Sequence, residues 1–161
     1  MEIGQVFWTE TGKGWGVRTW DNIPAGSFVF EFVGEILTDD ESFLRHLTIP
    51  AGDPHFSLQL LGTWCAEKRE RNIHVDATNY GNVARFVNHR CYDNNLLEVP
   101  VQIESAEHDH VAFFTTRDVD AGEELTWDYG LNFIDKIQRV QAFDYLCGSD
   151  YCRGNKLENN W

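Results

Sequence analysis

Residues 112–130 read AFFTTRDVDAGEELTWDYG. Two runs rich in aromatic and β-branched residues, Val111–Thr116 and Glu123–Tyr129, flank Asp120-Ala121-Gly122, where glycine supplies the backbone freedom of a tight turn. Working outward, the same rhythm recurs in Gly14–Thr19, Ser27–Leu37, Phe56–Leu61, Ile73–Ala77 and Leu96–Glu104, with Pro24-Ala25-Gly26 as a second turn. The pattern predicts a mainly β fold. One helix is signalled by Thr38 and Glu41 at capping-box spacing, with Phe43, Leu44 and Leu47 following at helical intervals, and it should end before Pro50. A short helical turn is expected over Tyr80–Val87, and residues 132–145 read as helical or irregular.

The chain has 161 residues, which is one domain's worth. A hydrophobic share of 42% is too high for a disordered chain, and no stretch of about eighteen apolar residues offers a membrane helix. The 26 Asp and Glu against 13 Lys and Arg leave a net charge of −13. Such a surface repels phosphate backbones, so direct nucleic-acid binding is not expected and a basic partner is favoured. Four cysteines are too few for a disulfide scaffold, and the opening MEIGQVFWTE lacks the cationic and apolar regions of a secretion signal, which predicts a reducing compartment.

Three clusters carry candidate chemistry. Gly12-Lys13-Gly14-Trp15-Gly16 lets a ligand approach the backbone while Trp15 walls it, or is simply a glycine-rich hairpin with Trp15 in the core. It matches neither the dinucleotide nor the P-loop glycine pattern. In the second cluster, Asn79–Cys91, the residues Arg85, Asn88 and His89 fall at helical spacing. One face would then offer a guanidinium, an amide and an imidazole to a zwitterionic ligand; the competing reading is a buried capping network. Third, Trp127 and Tyr129 share one side of a strand, where they either line a channel suited to a lysine stem or belong to the core. His108-Asp109-His110 reads as a solvated loop.

Five ordered segments resemble a known family: KGWGVRT at Lys13–Thr19, PAGSFVFEFVGEIL at Pro24–Leu37, DATNYGNVARFVNHRC at Asp76–Cys91, AFFTTRDVDAGEELTWDYG at Ala112–Gly130 and CGSDYCRG at Cys147–Gly154. They are similar to SET-domain protein-lysine methyltransferases of the Su(var)/heterochromatin branch, nearest its plant-like members. The resemblance implies a SET (β-clip type) fold of several small sheets with a pseudoknot and a few short helices. Residues 1–133 would form the SET domain and 134–161 a post-SET-like tail with an incomplete cysteine set, the cysteine-rich pre-SET cluster being absent from the chain. It also implies S-adenosylmethionine as cofactor, contacted by Lys13, Gly14, Trp15, Gly16, Arg85, Asn88, His89 and Phe133. Tyr129 and Tyr80 take the family's catalytic tyrosine positions, and Phe56 and Trp127 line its substrate channel.

Departures from the family pattern are informative. Tyr145 stands where the post-SET segment carries its first cysteine, leaving Cys91, Cys147 and Cys152 as candidate zinc ligands, with a water, a nearby His or Cys65 for the fourth position. Phe56 replaces a usual tyrosine, a loss of one hydrogen bond worth about 1 kcal/mol. Trp127 stands where many relatives have Phe or Tyr.

The function implied is methyl transfer to a lysine of a basic histone tail, first lysine nine of histone H3, in nuclear chromatin. The alternative is a catalytically weak module that binds histone tails or proteins as an adaptor. The charge distribution agrees with a cationic substrate: residues 93–130 hold ten acids against the single base Arg117.

Overall fold

The structure, a computed structural model, describes residues 4–50, 57–60, 73–103, 109–129, 147–150 and 152. The expected strand rhythm is present. The strands are β1 (Gln5–Trp8), β2 (Trp15–Arg18), β3 (Phe28–Phe32), β4 (Glu35–Thr38), β5 (Ser57–Leu60), β6 (Ile73–Asp76), β7 (Asn88–His89), β8 (Leu96–Val101), β9 (His110–Thr115) and β10 (Glu124–Trp127). A single α-helix, α1 (Asp39–Thr48), lies between β4 and β5 among the described residues. The fold is thus mainly β. Among the described residues no helix is long and apolar enough to cross a membrane.

Chain contacts divide the molecule into two compact units. The first comprises Met1–Phe30, Phe86–Val99 and Ala112–Trp161 and holds most of a seven-stranded sheet of order β1-β2-β10-β8-β9-β3, with β7 added alongside β10. β10 is its hinge of topology. It runs antiparallel to β2, with Leu125 opposite Val17, and parallel to β7, with Thr126 opposite Asn88 and Trp127 opposite His89. The alternation of β10 sends Leu125 and Trp127 into a core with Val17, Val29, Phe30, Leu96 and Phe113. The two Ala-Gly turns close where expected: Gly26 N–H donates to Thr115 O and Gly122 N–H to Thr19 O, both at 2.8 Å.

The second unit, Glu31–Arg85 and Pro100–Val111, holds a three-stranded antiparallel sheet of order β4-β6-β5. The run Ser27–Leu37 read as one strand is broken at Val33-Gly34. A Cβ at Gly34 would lie 2.6 Å from the Asp76 backbone, so glycine is required for that close approach. Helix α1 starts with the predicted capping box: Thr38 Oγ1 accepts from Glu41 N–H and the Glu41 carboxylate accepts from Thr38 N–H. It ends before Pro50 as expected, yet Phe43, Leu44 and Leu47 remain exposed and Ser42 is its buried residue. Arg45 on α1 reaches the Glu35 carboxylate and, at 3.3 Å, Asp76, which is 1% exposed. His110 opens β9 rather than lying in a loop, and its Nδ1 meets Glu31.

Candidate active site

The glycine cluster folds as the end of the β1–β2 hairpin. Trp8 lies opposite Trp15 in the register, their rings edge to face at 5.3 Å, and Thr9 closes the loop through its N–H and hydroxyl, both donating to Gly14 O. Next to this loop stands Glu124, on the face of β10 opposite Leu125. Its carboxylate receives Lys13 Nζ at 3.6 Å and Asn88 Nδ2 at 2.8 Å, while the same amide donates to Trp15 O at 3.1 Å. Four groups from three distant segments are thereby locked together. A Cβ at Gly16 would fall 3.0 Å from both Asn88 Nδ2 and Glu124 Oε1, so the space freed at Gly16 is taken by the protein's own polar groups. Gly14 differs: its φ is +83°, and nothing lies within 4 Å of where its Cβ would be. The half-exposed Trp15 and this open backbone at Gly14 thus stand beside the Lys13–Glu124–Asn88 network.

At the other end of β10 the side chains are aromatic. Phe30, Phe113, Trp127 and Tyr129 form a continuous series with ring centroids 5.6, 5.2 and 4.7 Å apart, and the His89 ring sits 5.2 Å from Tyr129. Tyr129 lies just beyond the strand, its hydroxyl donating to Val87 O at 2.7 Å and its N–H donating to His89 Nδ1 at 3.2 Å. Burial, reinforced by the charge of Glu124, pushes the Tyr129 hydroxyl well above the ordinary phenol value. The hydroxyl therefore stays protonated at neutral pH and serves as a fixed dipole rather than a base.

Behind the tyrosine lies a buried cluster. His89 Nε2 is 3.0 Å from Cys91 Sγ, and the ligand atoms of His89, Cys91 and Cys147 all lie within 4.8 Å of one another. Cys152 is buried in the same group, and none of the three cysteines is in a disulfide. Burial raises the Cys147 thiol, but hydrogen bonds from the Cys91 and Ser149 backbones and from the Cys152 and Cys91 side chains outweigh it, leaving the pKa lowered. A buried group of thiols and an imidazole is the donor chemistry that zinc prefers.

The SET-domain profile matches residues 14–130. The chain belongs to the SET-domain family. Among the SET relatives, the histone-lysine N-methyltransferase SUVR4 of Arabidopsis thaliana is 44% identical over 161 residues, covering 97% of this chain and 33% of its own. SUVR1 of the same plant, named a probable inactive histone-lysine N-methyltransferase, is 46% identical over 157 residues, covering 94% of this chain and 21% of its own. The crystal structure of the methyltransferase domain of human SETMAR, a histone-lysine N-methyltransferase, aligns with a TM-score of 0.76 at 31% identity, over 93% of this chain and 56% of that one. This SET chain thus spans about a fifth to a third of the length of these two plant relatives.

The SET motif residues fall into distinct places. Lys13, Trp15 and Asn88 share one bonded network with Glu124, Gly16 lies against it, and His89, Trp127 and Tyr129 form the aromatic end. Arg85 and Tyr80 belong to the second unit, where Arg85 Nη1 donates to Ala77 O at 3.3 Å and Tyr80 is 72% exposed. Phe56, Phe133, Tyr145 and Cys65 lie outside the described residues. The shared helical face read for Arg85, Asn88 and His89 is corrected: a 3-10 turn covers Val83–Phe86 only, and Asn88-His89 is a strand. Strand alternation separates their roles, sending Asn88 to Glu124 and the buried His89 toward Tyr129 and Cys91. Glu124 was missed. Its one sequence signal is an acid immediately before the inward-facing Leu125, which becomes meaningful only once Lys13 and Asn88 are beside it.

Proposed function

We propose that this chain is the catalytic domain of a protein-lysine N-methyltransferase acting on a basic histone tail, with lysine nine of histone H3 as the first candidate. The observation that carries the reading is the pairing of Trp127 with a Tyr129 whose hydroxyl is fixed on Val87 O. S-adenosylmethionine, when bound, supplies an electrophilic methyl group on a sulfonium. Lys13, Gly14, Trp15 and Asn88 are suited to its amino-acid end, with Gly16 making room for Asn88. Arg85, His89 and Phe133 complete the contact set that the family pattern implies. Both ring nitrogens of His89 are engaged within the protein, so its cofactor contact falls to the backbone.

A substrate lysine must arrive as the neutral amine, although its pKa in water is about 10.4. An aromatic wall made by Trp127 and Tyr129, with Phe56 and Tyr80 as further family positions, removes water and disfavours the ammonium form. The proton is shed to solvent, because the Tyr129 hydroxyl is already protonated and holds its own proton toward Val87 O. Tyr129 then orients the amine by a neutral dipole, and placement of the reacting atoms contributes most of the rate. The acid-rich stretch 93–130 is suited to a cationic tail, and a chromatin location follows from that substrate.

The alternative, a tail-binding adaptor of low activity, draws support from the name of SUVR1 as inactive at 46% identity. Labelled S-adenosylmethionine incubated with core histones separates the two. Transfer that falls on the order of 10²-fold in Tyr129→Phe supports the enzyme. Calorimetric binding of cofactor and tail peptide without any label transfer favours the adaptor, and undiminished transfer in Tyr129→Phe removes the role given to that residue.

A further inference from the structure

The Cys91, Cys147 and Cys152 cluster is one donor short of the four that a closed tetrahedral zinc site needs, because Tyr145 stands at the family's first post-SET cysteine position. The structure brings a different donor to it. His89 is 6% exposed, and its Nε2 lies 3.0 Å from Cys91 Sγ and within 4.8 Å of Cys147 Sγ. In a tetrahedral zinc centre, metal–ligand lengths of about 2.0–2.3 Å put neighbouring N and S donors about 3.5–3.8 Å apart. The 3.0 Å approach of His89 to Cys91 is shorter than that value and Cys147 Sγ lies within 4.8 Å of both atoms, so these three need only open slightly, while Cys152, buried in the same cluster against Cys147, would turn its thiol inward. The donors also come from rigid places: His89 is held in β7 by the parallel register with Trp127, and the Cys147 segment is tied by Arg90 Nη1 to Cys147 O and by Cys152 N–H to Ser149 O.

We infer that His89 is the fourth ligand of a Cys3His zinc site with Cys91, Cys147 and Cys152, taking the place that a fourth cysteine would fill. The second ring nitrogen supplies the supporting contact such a ligand needs. A histidine bound through Nε2 carries its proton on Nδ1 and donates it outward, commonly to a carboxylate. Asp128 Oδ1 lies 3.8 Å from His89 Nδ1. With Nδ1 accepting from Tyr129 N–H, the neutral ring carries its proton on Nε2, facing Cys91. Zinc would therefore exchange one hydrogen-bond partner at Nδ1 for the other and so alter the backbone contact of Tyr129. The site stands or falls independently of methyl transfer, since its readouts are metal content and the state of one imidazole.

The test uses the full chain purified without chelator. Elemental analysis should give about one zinc per chain. Cobalt replacing the zinc should show thiolate-to-metal absorption with the intense visible bands of a tetrahedral site. His89→Gln should weaken zinc binding on the order of 10²-fold or more, and His89→Cys should restore it. Nitrogen-15 correlation spectra should find His89 with its proton on Nδ1 in the zinc form and on Nε2 after chelation. That measurement needs no variant, so it decides the matter even if His89→Gln fails to fold. Absence of zinc, zinc affinity unchanged in a folded His89→Gln, or a His89 proton that stays on Nε2 with zinc bound would each overturn the inference.

Discussion

Two carboxylates tie distant segments together in this protein, one in each compact unit, and they do so under opposite conditions. Asp76 is 1% exposed and engages Arg45 of α1 while accepting from the Thr78 N–H at 2.8 Å. Glu124 is only partly buried, engages Lys13 and Asn88, and fills, with the Asn88 amide, the space beside Gly16. Both lie within ordered motifs of the SET pattern, and residue type does not separate them. Their surroundings do: Asp76 is closed in by its own partners, whereas Glu124 keeps part of its surface in solvent while it holds a lysine and an amide, and the role proposed for it is to position a ligand.

The comparison can be broken at either carboxylate. The largest stability effect is expected for Asp76→Ala, which strands the Thr78 N–H and leaves Arg45 with Glu35 as its remaining partner; a loss of about 1–3 kcal/mol should appear in urea unfolding. A smaller loss for Asp76→Asn, which keeps an acceptor for Thr78, would assign the difference to charge, and an unchanged urea midpoint in Asp76→Ala would refute the structural role. Next in size, Glu124→Gln should weaken S-adenosylmethionine binding by about 10-fold, or 1.4 kcal/mol, with stability shifted by less than about 1 kcal/mol. If stability falls and binding does not, Glu124 belongs with Asp76 and the contrast between the two disappears.

The smallest effect concerns Glu98, a partly buried acid on β8. Burial, with the charge of Asp128 as a lesser contribution, raises its pKa above the ordinary carboxylate value. The sign follows directly: the folded state binds this proton more tightly than the unfolded chain, so the ionised group costs stability at neutral pH, and the cost fades as pH falls through the raised pKa. Glu98→Gln should therefore stabilise the protein at pH 7 by less than about 1 kcal/mol, with the gain vanishing toward pH 4. Melting curves at both pH values check this, and a gain that is equal at the two would exclude the electrostatic cause.

What could be read from the sequence was local. The capping box at Thr38 and Glu41, the Ala-Gly turns and the alternation of β10 depend on neighbours in the chain and were visible there. The strands β1 and β7 were not, because Gln5–Trp8 and Asn88-His89 have little signal of their own and exist by pairing with β2 and β10. For the same reason, Arg85, Asn88 and His89 were placed on one helical face when a strand step divides them. The three cysteines and His89 all stand out in the sequence, but the 3.0 Å approach of His89 Nε2 to Cys91 Sγ is visible only in the fold.

The parallel register of β7 with β10 has a bearing on how the molecule is made. Asn88 and His89 leave the ribosome well before Thr126 and Trp127, the residues that they face. During that interval they have no β10 to join, and the pairing must then be made across the segment that carries β8 and β9, a long-range closure that is slow compared with local turns and helices. Completion of the site is therefore a late event of biogenesis, reached only after residues 124–129 have emerged and docked. A nascent chain stalled before Glu124 would contain the first three of the five family-like segments in full and yet lack β10, Trp127 and Tyr129.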